Sequence, residues 1–106
     1  MSLSRSGNSL TVSGKEAGLG DENQVHIVLS ATALCINNGG RHPKAANKQS
    51  LASGGDFPVQ SGKADFNLTV TATFSPNCSP PMTVVFTNVV VTDVTNGVSQ
   101  SFPGTY

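Results

Sequence analysis

The stretch Ala64-Asp65-Phe66-Asn67-Leu68-Thr69-Val70-Thr71-Ala72-Thr73-Phe74 decides the fold. Every even position in it is apolar and every odd position polar, the two-residue period of a strand with one face in a core and the other in water. A helix would scatter these side chains around its axis. The same period governs a second stretch, where Val25, Ile27, Leu29, Ala31, Ala33 and Cys35 share the core parity and His26, Val28, Ser30 and Thr32 the other. Leu10 and Val12, separated by Thr11, mark a short strand before it.

Toward the C-terminus Met82, Val84 and Phe86 lie on even positions, whereas Val89 and Val91 lie on odd ones. Parity therefore flips near Asn88, which predicts a β-bulge or a crossing between sheets. Thr95-Asn96-Gly97-Val98 sets an Asn-Gly pair between alternating arms and predicts a two-residue hairpin. In that register Val91 faces Phe102 and Asp93 faces Gln100. The segment from Asn37 to Gly62 spans 26 residues, too many for a structureless loop in so small a protein. Short strands are expected near Lys48 to Ala52 and Phe57 to Gln60, within a polar stretch that also carries Ser53-Gly54-Gly55.

The tally is about seven short strands separated by turn signals, which favours an all-β, antiparallel, immunoglobulin-like β-sandwich. At 106 residues the chain is read as a single domain, with residues 1–8 a flexible N-terminal segment.

Composition narrows the function. Six Lys or Arg balance six Asp or Glu, and charged residues make up 11% of the chain, against roughly 25% in an ordinary domain. Ser, Thr and Asn together fill 32 positions. A neutral chain of this kind is no nucleic-acid clamp, and it is poor in the groups that act as general acids and bases. The longest unbroken apolar run, Ala33 to Ile36, is far short of the roughly 20 residues of a membrane-spanning helix. The start, Met1-Ser2-Leu3-Ser4-Arg5, carries no apolar signal-peptide core.

Two cysteines, Cys35 and Cys78, are expected to pair across 42 intervening residues. The chain-entropy model assigns such a bridge about 4 kcal/mol. With the low charge, the pair points to an oxidising, extracytoplasmic compartment; two buried thiols are the alternative.

Ala17-Gly18-Leu19-Gly20 leads into a long alternating strand that ends Cys35-Ile36-Asn37-Asn38-Gly39-Gly40, and Cys78 stands near Pro80-Pro81. In these features the chain resembles small secreted microbial β-sandwich proteins of uncharacterised function, over about three quarters of its length. The resemblance implies fold and compartment and carries no activity.

Arg41, His42, Lys44 and Lys48 form the only basic cluster in the sequence and are a candidate site for an anionic partner such as an acidic glycan. Asp21, Glu22 and Asn23 offer oxygen ligands to calcium, with Asp56 or Asp93 as further donors, although their spacing is not that of an EF-hand. No other cofactor is expected. His26 and His42 have no metal-binding spacing, and no Gly-x-Ser-x-Gly elbow is present. Asn67-Leu68-Thr69 and Asn77-Cys78-Ser79 match the glycosylation sequon.

These features favour a secreted, non-catalytic interaction or structural module that presents polar loops or a threonine-rich face to a protein or glycan. The other readings are a lectin-like or calcium-assisted carbohydrate-binding module and a small hydrolase. Self-association through an edge strand is expected to involve the β-prone segment Val89 to Val94.

Overall fold

The computed structural model describes residues 1–36, 48–74 and 83–106. It is all-β among these residues. Seven strands run β1 (Ser2–Ser6), β2 (Ser9–Glu16), β3 (Gln24–Ile36), β4 (Lys48–Pro58), β5 (Ala64–Thr71), β6 (Thr83–Asp93) and β7 (Val98–Phe102). They form two sheets, a three-stranded one in the order β1-β2-β5 and a four-stranded one in the order β4-β3-β6-β7. All five strand pairings are antiparallel.

The alternation read from the sequence is the alternation of burial. β5 reads buried, exposed, buried, exposed along its whole length, and β3 buries each odd residue from Val25 to Cys35. The two apolar faces meet in a sandwich-like core, with Leu10, Val12, Phe66, Leu68 and Val70 on one side. Val25, Ile27, Leu29, Phe86, Val89 and Val91 face them from the other sheet. Phe86, at 0% exposure, is the largest fully buried side chain.

The parity flip of β6 is a bulge. Register passes from Ser30↔Val90 to Thr32↔Thr87, so that Asn88 and Val89 together oppose Ala31. Asn88 has φ of 53°, the left-handed conformation that asparagine tolerates better than a branched residue. The extra residue lets both Phe86 and Val89 point inward.

Four expectations need correction. Residues 1–8 are not a loose segment throughout: Ser2–Ser6 pairs with β2. The hairpin is closed by Gly7 and Asn8, with positive φ at Gly7 alone, as a glycine-first two-residue turn requires. The segment expected as two short strands is one strand, β4, and Ser53-Gly54-Gly55 lies inside it. These glycines serve close packing: a Cβ on Gly54 would stand 3.1 Å from Val28 Cγ2 and 3.3 Å from His26 Nε2.

The third correction is the last hairpin. Val91 faces Gln100 and Asp93 faces Val98, two residues from the expected register, so the loop is Val94-Thr95-Asn96-Gly97. The Asp93 carboxylate explains the shift. It accepts hydrogen bonds from the Asn96 amide at 3.0 Å and from Asn96 Nδ2 at 2.6 Å, a side-chain turn that competes with the two-residue backbone turn. The fourth concerns the segment Val89 to Val94, whose strand lies between β3 and β7 and is no edge.

Candidate functional site

The outer face of β1-β2-β5 is built by register alone. Residues with even numbers on β1 and odd numbers on β2 and β5 point away from the core, and antiparallel pairing aligns them in rows. Ser6, Ser9 and Thr71 form one row, Ser4, Thr11 and Thr69 the next, and Ser2, Ser13 and Asn67 the third. Eight of these nine residues carry a hydroxyl and the ninth an amide. Rows run across strands about 4.8 Å apart and follow one another every two residues, about 6.7 Å along the strand.

Four of the eight hydroxyls are paired. Ser9 and Thr71 share a hydrogen bond of 2.8 Å between their side-chain oxygens, and so do Thr11 and Thr69. Each hydroxyl keeps further acceptor capacity for a partner. Among the described residues a charged pair, Lys15 and Asp65, borders the array, 3.8 Å apart at the end of the same pairing. Across its three rows the surface is uncharged and polar.

A second cluster lies at the end of the sandwich where β2 approaches the β6–β7 hairpin. Asp93 is 4% exposed because it stands on the core parity of β6, after Val89 and Val91. Glu16 occupies the corresponding parity of β2, after Leu10, Val12 and Gly14. Burial raises the Glu16 pKa first, and its hydrogen bond with Asp93 and the charges of Asp93 and Glu22 add to that, so it reaches about 7. For Asp93, burial pushes upward but is outweighed by hydrogen bonds from the Asn96 side chain, from Glu16 and from the amides of Asn96 and Thr95, which hold its carboxyl below the ordinary value. Glu16 thus carries the proton of the pair. The two acids border a cavity of about 340 Å³ walled by Ile27, Phe66, Val91 and Val98.

The residues singled out in the sequence fall in different places. Of the basic cluster, Lys48 begins β4 and is exposed, while Arg41, His42 and Lys44 lie outside the described residues. Of the expected calcium ligands, Glu22 and Asp93 are brought together on Asn96 Nδ2. Glu22 accepts a hydrogen bond from Asn96 Nδ2 at 3.2 Å, Asp21 is exposed, and Asn23 uses its carbonyl to hold the Val59 amide at 2.9 Å. Among the described residues no group of three or more His, Cys, Asp or Glu stands where it could hold a metal ion. Asp56 instead meets His26, with Oδ1 3.0 Å from Nδ1 across the β3–β4 pair.

Cys35 is buried near the end of β3, opposite Val84; Cys78 and Asn77 lie outside the described residues. Asn67, the other sequon asparagine, is exposed in the third row of the hydroxyl array. No described helix is long and apolar enough to cross a membrane.

Three features went unread in the sequence: the carboxyl pair, the His26–Asp56 contact and the full array. For the acids a signal existed, because Glu16 and Asp93 both interrupt core parity. The other two depend on strand partners far apart in the chain.

Comparisons with known protein families, curated proteins and solved structures find no match for this chain. Its chemistry is therefore the only guide to what it does.

Proposed function

We propose that the chain is a secreted, non-catalytic interaction module whose contact surface is the outer face of β1-β2-β5. The observation that carries this reading is the three-by-three array of Ser, Thr and Asn side chains. A face of uncharged donors and acceptors complements a partner of the same character, and a neutral glycan has that chemistry. Each hydroxyl contact contributes little net free energy because water competes for it, so affinity comes from many parallel contacts along a repeating polymer.

This places the partner on a sheet face instead of on polar loops. The absence of charge from the array is useful in selectivity, since an anionic partner would find no complementary cation there. The strand order departs from the constant-type immunoglobulin sandwich, which sets the fourth strand beside the fifth; here β4 pairs with β3. The immunoglobulin-like reading thus refers to the general two-sheet antiparallel architecture.

Extracytoplasmic location is part of the proposal and rests on low charge and on a bridge between Cys35 and Cys78. Val84, which faces Cys35, follows Cys78 by six residues, a chain reach of roughly 20 Å. Thiol titration of the denatured protein should find no reactive thiol without reductant and two with it; two thiols in both conditions would defeat the bridge.

The function is tested by retention on insoluble neutral and anionic polysaccharides across a range of salt. Binding to a neutral polymer that persists at high ionic strength supports the face as the site. Binding only to anionic polymers, lost as salt screens the interaction, would shift the site to the basic cluster containing Lys48.

A further inference from the structure

We infer that two copies of this chain pair through the outer edge of β7, joining their four-stranded sheets into one of eight strands. β7 ends the order β4-β3-β6-β7, so its outer edge has no partner among the described residues. Proteins guard such edges with charges or proline. β1 carries Arg5, β4 carries Lys48, Asp56 and Pro58, and β5 carries Asp65. β7, Val98-Ser99-Gln100-Ser101-Phe102, carries none of these. It also brings exposed apolar surface, since Val98 is 53% and the neighbouring Val94 55% exposed.

The groups that the edge offers follow from the ladder. The Val94 amide donates to the His26 carbonyl, so the even residues of β6 on this side of the bulge turn their backbone groups to β3. Val89, Val91 and Asp93 then face β7, and their partners Phe102, Gln100 and Val98 turn inward to meet them. Ser99 and Ser101 point their amides and carbonyls outward. A two-fold axis through Gln100 sets Ser99 of one copy against Ser101 of the other, which brings outward groups opposite outward groups and forms four backbone hydrogen bonds.

The side chains match under the same axis. β7 is nearly palindromic, apolar-Ser-Gln-Ser-apolar, so Val98 meets Phe102, Ser99 meets Ser101 and Gln100 meets its own copy. Like faces like on each side of the sheet, as an isologous interface requires.

Sedimentation equilibrium of the full chain tests this. The mass should rise with concentration from 10.9 kDa toward twice that value. Ser101→Pro deletes an outward amide that the β6 ladder does not use and should leave a monomer with an unchanged circular dichroism spectrum. Ser99→Lys with Ser101→Lys opposes like charges and should raise the dissociation constant about tenfold. Ser99→Glu with Ser101→Lys sets opposite charges against each other across the two-fold and should keep the dimer. A monomer at every concentration up to the millimolar range would overturn the inference, as would a dimer indifferent to both Ser101→Pro and the double lysine variant. These outcomes do not involve the hydroxyl face, so they stand apart from the test of function.

Discussion

Thr11 and Thr69 stand directly opposite each other on β2 and β5, and their hydroxyls share a hydrogen bond of 2.8 Å. The pair belongs to the middle row of the array, with Ser4 beside Thr11. Its contribution to stability is small, because a cross-strand hydroxyl pair is worth about 0.2–1 kcal/mol. Thr69→Val keeps the shape and strand preference and should lower stability in chemical denaturation by no more than about 1 kcal/mol. A larger loss would mean that the face is structural and not kept free for a partner.

Glu16 and Asp93 make stability depend on pH. Glu16 is held at about 7, above the ordinary carboxylate value of 4.5, so between those values the folded chain binds more protons than the unfolded one. The stabilisation is fully present below about pH 4.5 and is lost as pH rises through 7. Asp93 is shifted the other way; its contribution is present above the unfolded carboxylate pKa and lost on acidification below that. Stability should therefore fall from about pH 5 to pH 8 by on the order of 1 kcal/mol after solvent screening. Glu16→Gln, which keeps a donor beside Asp93 at every pH, should flatten this slope in thermal melts. An equal slope in the variant would assign the titration elsewhere.

Asn88 holds the bulge at φ of 53°. Asn88→Gly should be close to neutral, since glycine adopts this conformation without strain. Asn88→Val should cost about 1–2 kcal/mol, measured by denaturant unfolding. Equal stability of the two variants would mean that β6 crosses β3 without the bulge.

What the sequence revealed of the fold was its local part. Alternation from Ala64 to Phe74 and from Val25 to Cys35 could be read directly because burial on a strand has a period of two, and the flip at Asn88 located the bulge. Glycine and asparagine misled where their role depended on packing. Gly54 and Gly55 stand between the two expected strands but pack inside one, under Val28, His26 and Phe57, and the Asn96-Gly97 hairpin was moved two residues by the Asp93 side chain. The candidate site was half legible. Asn67, Thr69 and Thr71 could be placed on one outward face, but their alignment with Ser9, Thr11 and Ser13, and with β1 beyond, needed the register of strands more than fifty residues apart.

The most direct test of the account compares the unmodified chain with a variant carrying Thr11→Val, Thr69→Val and Thr71→Val in retention on insoluble neutral polysaccharides. These changes remove three hydroxyls and both threonine-centred hydrogen bonds while leaving the strand shape intact. The account predicts salt-independent retention of the unmodified chain and its loss in the variant, with both proteins folded by circular dichroism. Equal retention of the two, or no retention of the unmodified chain on any neutral polymer, would contradict it.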